Sequence, residues 1–466
     1  MNPYASGKRC SLSNGNRAQH SFNTGQRLAF LAAVAVIASS TFAWGQAGQL
    51  DSTFGTGGIF TTNYTAPDQT MDTTVAIQSD GKIVVGGSNS GGPVLMRLST
   101  NGTLDSSFGT GGVVNNSFDN ILGLVFGIAI QPDGKIVAGA EGFEGGSVGR
   151  FNSDGSVDTT FGNGGFAVSK SLNSGPGILS AIALQADGKI LVTGAGLLGR
   201  YTSTGQLDPA FGSGGGGIAP LNSVIATAIA VQPDGKILVT TGTGAPSELL
   251  ASPGFPSPQA GAIARYNTDG SLDTTFGVSG QASCVASAAA MAIQSNGKIV
   301  VAGTIPSVLM TLLESDGITV VNNQTGFGLV RYNANGSVDT SFNPGGGIGS
   351  GGGVITGFGN NFPAGSAFAL AIQSNGEIVV AGQAGNGNGG YNSSSFVLAR
   401  YTTTGHLDTN FGSNGIAITP IGQGHISFVS ALVLQSDGKI VAAGNYAPPA
   451  GGDYVNNFAV ARYLAQ

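Results

Sequence analysis

Short apolar runs, broken by Gly, Asn and Asp, recur along the whole chain after residue 50. The clearest is Ala76-Ile-Gln-Ser-Asp-Gly-Lys-Ile-Val-Val85, and variants of it return after Gln131, Gln185, Gln232, Gln294, Gln373 and Gln435. Two other signals keep step with it: Leu/Val-Asp-x-x-Phe, and Arg followed by an aromatic residue or Leu. In the first copy, 57–63, 73–78, 82–86 and 94–98 read as strands a, b, c and d. The runs are short, β-branched and bounded by turn residues, as strands should be. No run of helical period and length interrupts them. Four strands in each of seven copies predict about 28 strands. A fixed repeat also overrides the two or three domains that 466 residues would otherwise suggest.

Two turns have definite chemistry. In Gln-x-Asp/Asn-Gly-Lys, Gly supplies the positive φ that a tight hairpin needs. In Arg265-Tyr-Asn-Thr-Asp-Gly-Ser-Leu-Asp273, the loop 268–270 predicts a hairpin with a bulge. That register sets Asn267 opposite Ser271, Tyr266 opposite Leu272 and Arg265 opposite Asp273. The same interval separates Arg97 from Asp105, Arg150 from Asp158, Arg200 from Asp208, Arg331 from Asp339 and Arg400 from Asp408. Constant spacing predicts a cross-strand ion pair on one hairpin face. Asp51 has no preceding Arg, and Arg462 has no following Asp. Their pairing would let the first strand complete the last blade and close a ring with no lone edge strand. The expected fold is therefore all-β: a seven-bladed β-propeller of four-stranded antiparallel blades. The repeated charges read as structural pairing, because a site used once need not be copied seven times. The Phe three residues after each Asp (Phe54, Phe108, Phe161, Phe211, Phe276, Phe342 and Phe411) reads as core between blades.

Charge changes the picture at the amino terminus. Lys8, Arg9, Arg17 and Arg27 precede the first acid, Asp51, and 28–38 is an unbroken apolar run followed by small residues. This reads as a secretory signal peptide over 1–47, with cleavage after Ala43 or Ala47, and a propeller domain over 48–466. The apolar run is too short to span a bilayer, and no later segment reads as transmembrane. Removing the leader leaves an acidic body with sparse basic residues, which argues against nucleic acid as a partner. Cys284 stands alone after the leader, so no internal disulfide or multi-cysteine metal site is expected.

The Leu-Asp-x-x-Phe-Gly, Gln-x-Asp-Gly-Lys-Ile-Val-Val and Leu-x-Arg-Tyr pattern resembles the delta-60 repeat of secreted bacterial proteins. The resemblance covers 50–466 and implies a β-propeller in an extracytoplasmic setting. It carries no established reaction and no catalytic residues. Glu377 replaces the turn lysine in copy six, and copies four to six are lengthened by insertions.

Antiparallel strands put the b–c and d–a turns on one face, and these are short and uniform. The a–b and c–d connections lie on the other, with long insertions at 244–262, 304–326, 345–366, 383–395 and 445–457. Rigid scaffolds place function on such variable loops. Candidate contact residues are Phe255, Phe358, Phe362, Tyr391, Tyr446 and Tyr454. His406 and His425 sit in or near turns, in no metal-binding spacing. The loop 152–158 only loosely resembles an oxygen-rich calcium site, and no Glu closes it. No catalytic, cofactor-binding or metal residues are assigned. The expected function is a secreted, monomeric, non-enzymatic binding or scaffold module for an unknown carbohydrate, peptide or surface protein. The rival is an extracellular polysaccharide hydrolase or lyase with its site at the central channel, whose paired acids sequence alone cannot place.

Overall fold

The structure is a computed structural model. It describes residues 46–62, 73–89, 92–115, 124–142, 145–169, 179–194, 196–221, 226–241, 261–284, 287–305, 325–345, 352–359, 362–385, 394–422, 426–447 and 457–465. These residues form 28 strands in seven four-stranded antiparallel sheets, with no helix among them. Blade one runs from its inner strand Thr74–Ile77 through Ile83–Asn89 and Gly92–Leu98 to its outer strand Val113–Asn115. The first strand of each sequence repeat is thus the outer edge of the preceding blade. Blade seven is completed the same way. Its strands Ser427–Leu434, Ile440–Tyr446 and Asn457–Tyr463 accept the first strand of the chain, Ile59–Thr61, as the outer edge.

Outer strands are shorter than the repeat suggests. Gly57 and Gly58 take φ of 62° and 96°, so the turn reaches further into the expected strand and Ile59–Thr61 is what remains. Second and third strands run past the expected ends, because cross-strand pairing continues to Asn89 and Gly92.

The inner strands of successive blades touch one another around the ring, including blade seven against blade one. In blades two to seven the inner strand carries a register shift, as at 125/127 and 429/431. Such bulges increase the local twist and bend a strand, which suits strands packed around an axis. Apolar side chains gather in seven clusters, one between each pair of neighbouring blades. A blade alone would expose both of its faces, so burial comes from stacking.

Candidate functional site

The short-turn face is built from a motif that repeats in every blade. The hairpin register brings each Arg beside its Asp. Tyr266 bridges Leu272, the Asn267 amide donates to Ser271 O, and the Asp273 amide donates to Arg265 O. The Arg Nε donates to Asp Oδ2 at 2.8 Å for Arg97 and Asp105, 2.7 Å for Arg150 and Asp158, 2.8 Å for Arg200 and Asp208, and 2.7 Å for Arg265 and Asp273. The distance is 2.6 Å for Arg331 and Asp339 and 2.8 Å for Arg400 and Asp408. Arg462 and Asp51, 411 residues apart in sequence, make the same bond at 2.9 Å.

Three further contacts turn each pair into a latch on the next blade. The other Arg nitrogen, Nη1, donates to a carbonyl in the next blade's d–a turn. Examples are Arg150 to Ser203 O and Arg331 to Thr403 O, both at 2.6 Å. Arg97 and Arg200 reach Ser153 O and Thr268 O in the same way. Three residues on from each Asp comes the Phe whose ring the guanidinium covers, at 4.4–4.9 Å from carbon to ring centre. That ring lies against the glycine of the next blade's turn. At Gly270, φ is 86° and an added Cβ would come within 2.9 Å of the Phe211 ring, so both the backbone and the space require glycine. The amide after each Phe donates to the same turn, as Gly162 does to Thr204 O at 2.8 Å. In blade five Asn343 takes this position with φ 49°, donates its amide to Thr404 O, and donates its side-chain nitrogen to Gly353 O.

The latch closes around the ring. Arg462 of blade seven donates to Thr100 O of blade one at 2.5 Å. Blade six docks on the first and last described segments at once: Arg400 donates to Ala465 O at 2.6 Å, and the Gly412 amide donates to Ala47 O at 2.7 Å.

The turn lysine adds to this cluster, a role that its spacing from the Asp in sequence does not disclose. Lys135, Lys236 and Lys298 reach Asp158, Asp273 and Asp339 at 2.6–2.8 Å. Lys82, Lys189 and Lys439 reach Asp105, Asp208 and Asp51 at 3.0–3.5 Å. In blade six Glu377 instead lies 3.3 Å from Arg400. Burial alone would raise the pKa of Asp158, Asp273 and Asp339. Hydrogen bonds from the lysine and the neighbouring hydroxyl, and the arginine charge, outweigh it and hold these carboxyls well below the usual range. The Ser107 hydroxyl does most to lower Asp105.

The ring axis offers different chemistry. Inner strands such as Ala226–Val231 and Ser287–Ile293 are mostly Ala, Ile, Val and Leu, and no described inner-strand residue is ionisable. Among the described residues, no group of three His, Cys, Asp or Glu is placed to hold a metal ion. Cys284 is buried, and burial pushes its thiol up to about 11. His406 is exposed in its turn.

On the loop face, three of the proposed contact aromatics are described, and all pack on the scaffold. Phe358 meets Phe327 edge-on at 4.7 Å, and with Phe362 it covers the core between blades five and six. Tyr446 is half-buried, and its hydroxyl donates to Thr62 O. These rings therefore have a structural use that insertion length alone does not show. Phe255, Tyr391, Tyr454 and His425 lie outside the described residues.

A family model described as "Domain of unknown function (DUF5122) beta-propeller" matches 78–108, 131–161, 185–211, 257–276, 316–342, 373–411 and 435–466. No curated protein matches the chain. Among solved structures it is similar to the extracellular domain assigned to a one component system, BT4673, from B. thetaiotaomicron. That match has 13% identity and a TM-score of 0.42, and it covers 86% of this chain but 40% of that one. It is also similar to a catalytically inactive virginiamycin B lyase from Staphylococcus aureus with quinupristin, at 12% identity and a TM-score of 0.49, covering 86% and 98%. The chain spans less than half the length of the first of these. Seven in-phase matches and seven matching blades make this a chain of β-propeller repeat type.

Proposed function

We propose that the chain is a secreted, non-enzymatic binding or scaffold module whose partner surface lies on the loop face of blades four to seven. One observation carries this reading: the arginines, their paired Asp residues and the turn lysines of the short-turn face are engaged with one another in the latch. Every Arg of 48–466 is a latch residue, and each latch Asp faces at least one cation. The inner strands bring no ionisable group to the axis, so they lend no support to a hydrolase or lyase there. Variation is left to the connections of the opposite face.

Those connections also differ in charge. Glu248, Glu314, Asp316 and Asp453 fall in the insertions of blades four to seven, which carry no Lys or Arg. A partner that meets this face with basic groups gains attraction that salt screens over about 8–10 Å.

The test is a screen of residues 44–466 against a glycan array and purified envelope proteins, followed by deletion of 383–395 and 445–457. Loss of binding with an unchanged melting temperature supports the reading. Full retention of binding by the deletion variant sinks it.

A further inference from the structure

The two small-residue exits of the leader are not equivalent in the folded ring. Ala47 is buried, at 6% exposure, in the cluster between blades six and seven. Its carbonyl accepts the Gly412 amide at 2.7 Å, the bond that Thr204 O makes to Gly162 and Asp269 O makes to Gly212. Gln46 adds a bond from Nε2 to Gly412 O at 3.2 Å. Gly48 has φ 81°, lies against the Phe411 ring, and donates to Leu464 O at 2.8 Å. Residues 46–48 therefore stand where every other blade has the second half of its d–a turn.

Cleavage after Ala47 would remove a buried methyl group and leave the Gly412 amide with no acceptor. Gly412 is half-buried, so a donor left unpaired there carries part of the desolvation cost of a buried one. Cleavage after Ala43 leaves the whole turn in place. Both bonds have a small residue on the amino-terminal side and another two positions before it, or a threonine there, so sequence alone does not choose between them.

Resting on the secretory reading of the leader, we infer that the processing site is the Ala43–Trp44 bond, and that the mature chain begins at Trp44 with the docking residues 46–48 intact. Processing and ring closure are then linked: the peptide bond that releases the leader lies just upstream of the segment that seals blade seven.

Full-length protein would be expressed in a Gram-negative host with its own export machinery, recovered from the periplasm or medium, and read by amino-terminal sequencing and intact mass. A start of Trp-Gly-Gln-Ala is expected. A start at Gly48 overturns the inference while leaving export intact. Retention of Met1 overturns the secretory reading itself, and with it the inference. The structural ground is checked separately by comparing chains prepared to start at Trp44 and at Gly48. The shorter chain should melt lower by about 1–3 °C. Equal midpoints would remove the reason for preferring Ala43.

Discussion

Blade six is a natural experiment on the latch, and it yields a comparison with a definite sign. In blade five, Asp339 faces both Arg331 and Lys298, each at 2.6 Å. In blade six, Asp408 faces Arg400 alone, and the turn position carries Glu377 instead of lysine. Arg331→Met removes the hydrogen bond to Thr403 O and the cation over Phe342. A charged hydrogen bond contributes about 1.5–3 kcal/mol and a partly buried cation on a ring about 1 kcal/mol. Methionine keeps some of the packing, so the expected cost is about 3 kcal/mol. Arg400→Met loses the equivalent bond to Ala465 O and the cation over Phe411. It also leaves Asp408 buried without a cation and close to a second acid. Breaking one side of a buried pair costs about 3–5 kcal/mol, so Arg400→Met should cost about 2 kcal/mol more than Arg331→Met. Urea melts of the two variants, followed by fluorescence and circular dichroism, read the difference in midpoint. Two internal checks follow. Adding Glu377→Lys to Arg400→Met should recover most of the difference. Lowering the pH from 7 to 5 should also narrow it, because an unpaired Asp408 has a raised pKa and sheds its penalty on protonation. Equal costs at pH 7, or a larger cost for Arg331→Met, would refute the view that the lysine shares the load of the buried carboxylate.

In the unmodified protein, the latch carboxyls of Asp51, Asp105, Asp158, Asp208, Asp273, Asp339 and Asp408 all have lowered pKa values. Their contribution is complete above the unfolded carboxyl value of about 4 and is lost as pH falls through the lower folded values; a stability profile that is flat from pH 4 to pH 2 would contradict this. Gly270→Ala should destabilise by about 2 kcal/mol or more, since it adds a clash with Phe211 to an unfavourable φ. Gly164→Ala, at φ 64° with open space around it, should cost only about 1 kcal/mol, so thermal melts that rank the two equally would count against the turn packing described here. Deleting residues 1–62 removes Asp51 and the outer strand of blade seven, and should add concentration-dependent association through the bared edge of Asn457–Tyr463; light scattering that matches the full chain at every concentration would argue against that edge being sticky.

The fold was legible because each repeat spells its hairpins locally. Gly at fixed turn positions, β-branched runs and a constant Arg-to-Asp interval all bear on contacts within a few residues. Ring closure was legible for a different reason: Asp51 and Arg462 were the two members left over, and they meet at 2.9 Å. What sequence did not show is where the third partner goes. The Arg reaches a backbone carbonyl of the next blade, such as Thr403 O from Arg331. A carbonyl is present at every residue and leaves no mark in the sequence. The Lys-to-Asp contact was hidden likewise, because the interval varies with the c–d connection, from 19 residues between Lys189 and Asp208 to 41 between Lys298 and Asp339. Three of the loop aromatics have a packing role that their sequence position does not disclose. Phe358 and Phe362 read as contact candidates from their place in an insertion, and both are partly buried against the core between blades five and six.

The turn of blade seven is shared between two stretches that are far apart in sequence. Elsewhere one continuous turn supplies both acceptors, as Ser203 and Thr204 do for blade two. In blade seven, Ala465 supplies the first and Ala47 the second. The two stretches therefore stand in for neighbours along a chain, and joining 465 directly to 47 would recreate the turn found in the other six blades. New ends opened between Ser203 and Thr204 would then reproduce the present break three blades further around the circle. A circular permutant of that kind should fold to the same propeller, because the assembled ring retains no record of which blade was synthesised first.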